Sequence, residues 1–385
     1  MNSRERVRLA LDHRPADRVP FDLGGTGLTT IHVDGYRHLR RYLGLPPVEV
    51  KILAQAEQLA MVDEDVAERL DTDVRLVMPG LATGFEYRFR DEGDYEAYTD
   101  EWGIGWRKPK QGGFYYDMYL HPLAGAGSLS DLKAHPFPDP VDPGRFATLR
   151  PQAEAARAKG KAVVLAGPCA GIVEVYAWMR GYESFYMDLA VNQDLVGYLL
   201  DRMVEFKCAY WERALGEVGD LVDVVVEADD VAGQHSMLLS PRVYRELIRP
   251  RHQRLFSFIK AQAPVKLFFH SCGAVRPIIP DLIEAGIDIL NPVQVSAAGM
   301  DPRELKREFG RDLVFWGGGV DTQQVLGTGT PDQVREDVRR NIEALAPGGG
   351  FVFAAVHDIQ PNVPPENIMA MWEAWREYGV RSYRP

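Results

Sequence analysis

Val265-Lys266-Leu267-Phe268-Phe269-His270-Ser271-Cys272-Gly273 reads as a buried strand that ends in a His-x-Cys pair. Residues two apart on an extended strand point the same way, so His270 and Cys272 can face one target together. Imidazole beside thiolate is a soft ligand set suited to zinc. The plainer reading is a core strand whose last residues happen to be His and Cys, and nothing in this stretch separates the two.

The same kind of strand recurs on both sides of it. Short apolar runs occur at Arg18–Leu23, Asp73–Pro79, Ala162–Ala166, Leu221–Val226, Val265–Phe269, Ile287–Leu290, Leu313–Trp316 and Phe351–Ala354. Helical patterns lie between or beside them, at about 3–14, 32–70, 147–159, 172–192, 194–217, 241–262, 276–285, 302–309, 331–345 and 365–378. Pro241 and Pro365 stand where a first helical turn tolerates proline, with Ser240 as a cap. Eight such units predict a distorted (β/α)8 TIM barrel, built as a single domain over 1–385, with its site at the strands' C-terminal ends. A doubly wound sheet is the alternative, but Gly24-Gly25-Thr26-Gly27 after the first strand lacks the third glycine of a dinucleotide loop. Residues 85–120 differ in character. Aromatics alternate with polar residues between glycines, which predicts an inserted antiparallel β-meander.

Composition narrows the class of function. A net charge of −11 without massed Lys or Arg argues against nucleic acid. The start is a charged amphipathic segment, and no apolar run approaches the roughly 20 residues of a membrane span. Three cysteines, Cys169, Cys208 and Cys272, are too few for a disulfide framework, so a reducing, cytoplasmic setting is expected. The natural partner is a small-molecule substrate.

Polar residues follow five successive strands: Glu227, Asp229 and Asp230; His270 and Cys272; Asn291 and Gln294; Gly317, Gly318, Gly319 and Asp321; then His357-Asp358-Ile359-Gln360. His270, Cys272 and His357 would supply three ligands to a catalytic zinc and leave a position open. Each residue has a plainer reading. The acids at 227–230 also suit a solvated loop or a helix start, and His357 a satisfied structural histidine. The triple glycine serves a tight turn as well as a close-approaching ligand. Cys208 repeats at helical spacing with Val204 and Leu200 and belongs to a core. Cys169, in Gly-Pro-Cys-Ala-Gly, is a bystander or a spare ligand. Tyr95, Tyr98, Trp102, Trp106, Phe114, Tyr115 and Tyr116 fit sheet packing or a lid over a flat organic ligand.

His-Ser-Cys-Gly (270–273), the Asp-Ile-Leu-Asn-Pro run (288–292), Phe-Trp-Gly-Gly-Gly-Val-Asp-Thr-Gln (315–323) and His357 with the Pro-rich 361–367 segment together resemble the uroporphyrinogen decarboxylase superfamily. The opening 3–22 looks like that family's N-terminus. The resemblance implies a distorted (β/α)8 barrel and one of two chemistries. True decarboxylases carry Gln-Ala-Gly-Arg after the first strand, whereas this chain has Leu-Gly-Gly-Thr-Gly-Leu-Thr (23–29) and no arginine to clamp a polycarboxylate. The other branch transfers methyl groups between a corrinoid and a thiol or an O- or N-methyl compound, and several members bind zinc through His-x-Cys and a later Cys. Here that later position is His357, as in the decarboxylase branch, so it suits a zinc ligand or a proton donor. The expectation is a zinc-dependent, corrinoid-linked methyltransferase in which Glu227, Asp229 or Asp230 acts as an acidic helper. The corrinoid would ride on a partner protein, and a homodimer is compatible with this reading. A decarboxylase using Asp321 or Asp230 with His357 is the alternative, followed by a non-catalytic barrel that binds a small molecule.

Overall fold

The computed structural model describes residues 1–382. Seven parallel strands lie side by side in chain order, Val74–Val77, Ala162–Leu165, Val224–Ala228, Lys266–His270, Ile289–Asn291, Val314–Trp316 and Phe351–Val352. The expected first strand is reduced to a single bridge, Phe21 to Phe353. That bridge still joins the two sheet edges. Phe353 N donates to Pro20 O, Asp22 N to Phe353 O and Asp73 N to Phe21 O. Pro20 has no N–H to offer a ladder, which shortens the segment without opening the barrel.

Strand alternation sorts the side chains into two layers. Val74, Val164, Val224, Val226, Phe268, Ile289, Val314, Trp316 and Val352 fill the barrel interior. Their neighbours Val163, Leu165, Val225, Leu267, Phe269, Leu290 and Phe315 pack outward on the helices. Helix Ser3–Leu11 adds Val7, Ala10 and Leu11 to the interior cluster. Arg4 and Arg6 anchor it to Asp223 and Asp73, the residues just before two strands. This helix therefore plugs the N-terminal end of the barrel and leaves the opposite mouth for chemistry.

The meander is present as four antiparallel strands, Arg90–Glu92, Tyr95–Thr99, Gly105–Pro109 and Asp117–Leu120. The expected helical region 32–70 is two helices, Val33–Tyr42 and Glu64–Arg69, around a hairpin of Ile52–Ala54 and Leu59–Ala60. Pro46-Pro47 stops the first helix pattern, and Val48, Val50 and Ile52 restart it with the period of a strand. The long pattern 172–192 is divided at Gly181, whose φ of 76° no other residue type adopts cheaply. No helix among the described residues is long and apolar enough to cross a membrane.

Candidate active site

The site begins with how His270 is held. Asn291 Nδ2 donates to the Trp316 carbonyl at 2.7 Å, and a carbonyl can only accept. Asn291 therefore turns its Oδ1 toward His270 Nδ1, 2.6 Å away, and that nitrogen must carry the ring proton. The proton-free nitrogen, Nε2, points at the mouth with Cys272 Sγ at 3.4 Å. Burial pushes the pKa of His270 down, which keeps the ring neutral and able to act as a ligand.

Cys272 arrives differently from the expectation. The strand ends at His270, so the thiol is carried by the following turn and not by strand alternation. Cys272 N donates to Asp230 Oδ1 at 2.7 Å, and Gly273 N donates to Gln294 Oε1 at 2.6 Å. Gly273 has a φ of 87°, and a Cβ there would stand 2.4 Å from the Gly233 carbonyl. The Ser-Cys-Gly turn is therefore fixed from three sides.

His357 completes the group. Its ring lies 5.4 Å from that of His270, and ligand atoms of His270, Cys272 and His357 all fall within 4.8 Å of one another. His357 Nδ1 sits 3.5 Å from Asp358 Oδ2, and burial pushes this ring toward its neutral form as well. The thiol is pushed far up, by burial first and then by the charges of Asp230, Glu174 and Asp358. Two neutral imidazoles and a thiol opposed by three carboxyl groups form a donor set that a dication completes. The residues present fit a zinc-type metal.

Other expected site residues are committed elsewhere. Glu227 lies within its strand and faces outward, where Lys207 Nζ (2.7 Å) and Trp211 Nε1 (2.5 Å) donate to it in the helix layer. Asp229 accepts the Val173 and Glu174 N–H groups at the start of helix Ile172–Arg180 and lies 2.9 Å from His252 Nε2. Asp321 caps a turn by accepting from Gln323 N and Gln324 N. The void that a ligand would need at the triple glycine is filled by protein. A Cβ on Gly317 would meet Asn291, one on Gly318 would meet Val293, and one on Gly319 would meet the Phe353 ring. Asn291 and Gln294 orient His270 and the Ser-Cys-Gly turn rather than facing a cofactor. Cys169 stands apart from the metal group, with its thiol pushed up to about 12 by burial. Cys208 packs against the main core as expected.

Two acids at the mouth have no role assigned from the sequence: Glu174 is not singled out there, and Asp358 is placed after the last strand without a task. Glu174, in the first turn of helix Ile172–Arg180, is pushed up to about 8 by burial and by Asp230 and Asp229. Asp358 accepts from Thr30 N and is pushed up to about 7, chiefly by burial. The signal for each was its place, Glu174 three residues past the loop glycine 171 and Asp358 beside His357. Of the two readings of the aromatics, packing holds for most of them. Tyr98, Trp102, Trp106 and Tyr116 are buried, while Tyr115 O–H donates to Gln360 Oε1 across to the last strand's loop.

The family profile described as uroporphyrinogen decarboxylase (URO-D) matches residues 124–378. The chain belongs to the uroporphyrinogen decarboxylase family. It is thus an enzyme of the URO-D fold. The uroporphyrinogen decarboxylase of Alkalilimnicola ehrlichii is 23% identical over 390 residues, covering 98% of this chain and 94% of the relative. That of Thioalkalivibrio sulfidiphilus is 27% identical over 180 residues, a match that spans about half of the relative's length (48%) and 43% of this chain. A methylated-thiol–coenzyme M methyltransferase of Methanosarcina mazei is 24% identical over 221 residues, 57% of this chain and 52% of the relative. Among solved structures, a methyltransferase from Methanosarcina mazei superposes with a TM-score of 0.64 at 22% identity, covering 98% of this chain and 99% of that one. The last likeness bears on the fold.

Proposed function

We propose that this URO-D family enzyme is a zinc-dependent methyltransferase, moving a methyl group between a corrinoid and a thiol or an O- or N-methyl compound. The observation that carries this reading is the convergence of His270, Cys272 and His357 within 4.8 Å, with the free nitrogen of His270 aimed at the thiol. Zinc held there would act as a Lewis acid toward a substrate heteroatom. The protein's own groups have distinct tasks. Asn291 fixes which His270 nitrogen is free, and Asp230 holds the Cys272 turn through its backbone. Glu174, pushed up to about 8 by burial and by Asp230 and Asp229, is the acid at the mouth that would exchange a proton with a departing heteroatom. The corrinoid would be carried by a separate protein docking over the strand C-termini, where the mouth opens.

A decarboxylase reading is favoured by the description of the matching family profile, by the names of relatives including the one that aligns along nearly the whole chain, and by a histidine at 357. Against it, residues 23–29 hold neither Arg nor Lys, and Asp22 beside them is occupied by Thr29 and Trp316. One assay pair decides. Zinc-loaded protein should demethylate methylcobalamin in the presence of a thiol, and Cys272→Ser should lose that activity. Release of carbon dioxide and coproporphyrinogen from uroporphyrinogen, undiminished in Cys272→Ser, would overturn the proposal.

A further inference from the structure

A second concavity lies between the meander and the loop after Ala162–Leu165. Its volume is about 300 Å³, at the small end of ligand cavities. Six aromatic side chains line it: Phe85, Tyr87, Tyr98, Trp102, Trp106 and Trp178. Several meet at right angles, as adjoining walls do. Tyr87 stands against Tyr98 at 5.3 Å and 87°, and Trp106 against Trp178 at 5.7 Å and 86°.

Three carboxylates share the lining, Glu57, Asp100 and Glu101, and no Lys, Arg or His does. Arg145 neutralises Glu101 through two hydrogen bonds, at 3.0 and 2.5 Å. Asp100 accepts from Trp102 N, Ile104 N and Trp106 Nε1, so its charge is supported by dipoles alone. Glu57 has no cation partner among the described residues. Packing explains aromatic rings closed on one another. It does not explain a void among six of them whose wall carries Asp100, held by dipoles alone, and Glu57, exposed and without a cation partner among the described residues.

We propose that this cavity binds a small methylated onium cation, a quaternary ammonium or sulfonium whose positive charge is spread over methyl groups. Ring faces attract such a charge, and a cation without N–H groups loses no hydrogen bond on entering aromatic walls. A polycarboxylate would meet charge of its own sign. Burial pushes Asp100 upward in pKa, and a cation beside it would reverse that push. Val175 of the lining follows Glu174, one of the acids that raise the Cys272 thiol, so the cavity and the acidic flank of the metal group share the first turn of helix Ile172–Arg180. The proposal deepens the methyltransferase reading by naming a substrate class for that mouth, but binding itself requires neither metal nor corrinoid.

The test is calorimetric titration of the full-length protein with choline and, separately, with trimethylsulfonium, on zinc-loaded and on chelator-stripped samples. The uncharged isostere 3,3-dimethyl-1-butanol and the dianion succinate serve as controls. The expected result is saturable binding of at least one cation, at least tenfold tighter than the isostere, in both samples, with none for succinate. The tighter cation assigns nitrogen or sulfur. Glu57→Gln should weaken cation binding several-fold without moving the thermal midpoint, and Trp178→Leu should weaken it tenfold or more. Equal affinity for choline and its isostere overturns the proposal, as does an absence of saturable cation binding or a preference unchanged in both variants. Protein that binds the cation yet holds no zinc and transfers no methyl would sink the metal reading and leave this one standing.

Discussion

Glu227 and Asp230 lie three residues apart after the same run of valines, yet they serve opposite sides of the barrel wall. Glu227 is 3% exposed and bound by Lys207 and Trp211 among the helices. Asp230 is partly open at the mouth, 3.8 Å from His270 Nε2. A carboxylate near a strand's C-terminal end is available for chemistry only while one of its oxygens is left over by the fold. Asp229 falls with Glu227, both oxygens bound. Asp230, Glu174 and Asp358 each give one oxygen to a backbone N–H and keep the other at the mouth, while Asp321 gives one to its own turn, away from the metal group.

If that division is right, variants on the two sides should fail in different ways. The largest stability effect belongs to Glu227→Gln, which strands the buried Lys207 ammonium. Breaking one partner of a buried ion pair costs about 3–5 kcal/mol. Urea denaturation should show that loss, while the fraction of folded protein binds metal with unchanged affinity. A metal affinity that drops along with stability would place Glu227 in the site. Next comes Asn291→Ala, which frees His270 to take either tautomer. Loss of such a supporting partner weakens metal binding roughly 10–100-fold, and competition with a chromophoric chelator should read it. The smallest effect is Asp321→Ala, where losing a two-donor cap costs about 1 kcal/mol. Its turnover should match the parent enzyme, and a large fall in kcat would return Asp321 to the chemistry.

Much of this fold follows from pattern. Alternating β runs and helices foretold the barrel, and glycine-punctuated aromatics foretold the meander. The first strand shrank to one bridge because Pro20 interrupts a short segment, which a count of apolar residues does not register. For the site, His270, Cys272 and His357 were readable because ligand chemistry and strand position coincide in them. Glu227 was misplaced by extending the mouth one residue too early. The alternation Val224, Val226 inward and Val225, Glu227 outward was present in the run. Its partners Lys207 and Trp211, one turn apart on the helix that precedes the strand, could only be found by folding. Glu174 was hidden for the same reason, since its exposure to Asp230 arises from packing between separate loops.

The central claim is that His357 acts with His270 and Cys272 as a metal ligand. Elemental analysis of the purified protein and of His357→Ala, after equal exposure to zinc and to a competing chelator, tests it most directly. The parent should hold about one zinc per chain, as a three-ligand site implies, and the variant should lose most of it while its thermal midpoint without metal is unchanged. Zinc retained in full by His357→Ala, or absent from the parent, would contradict it.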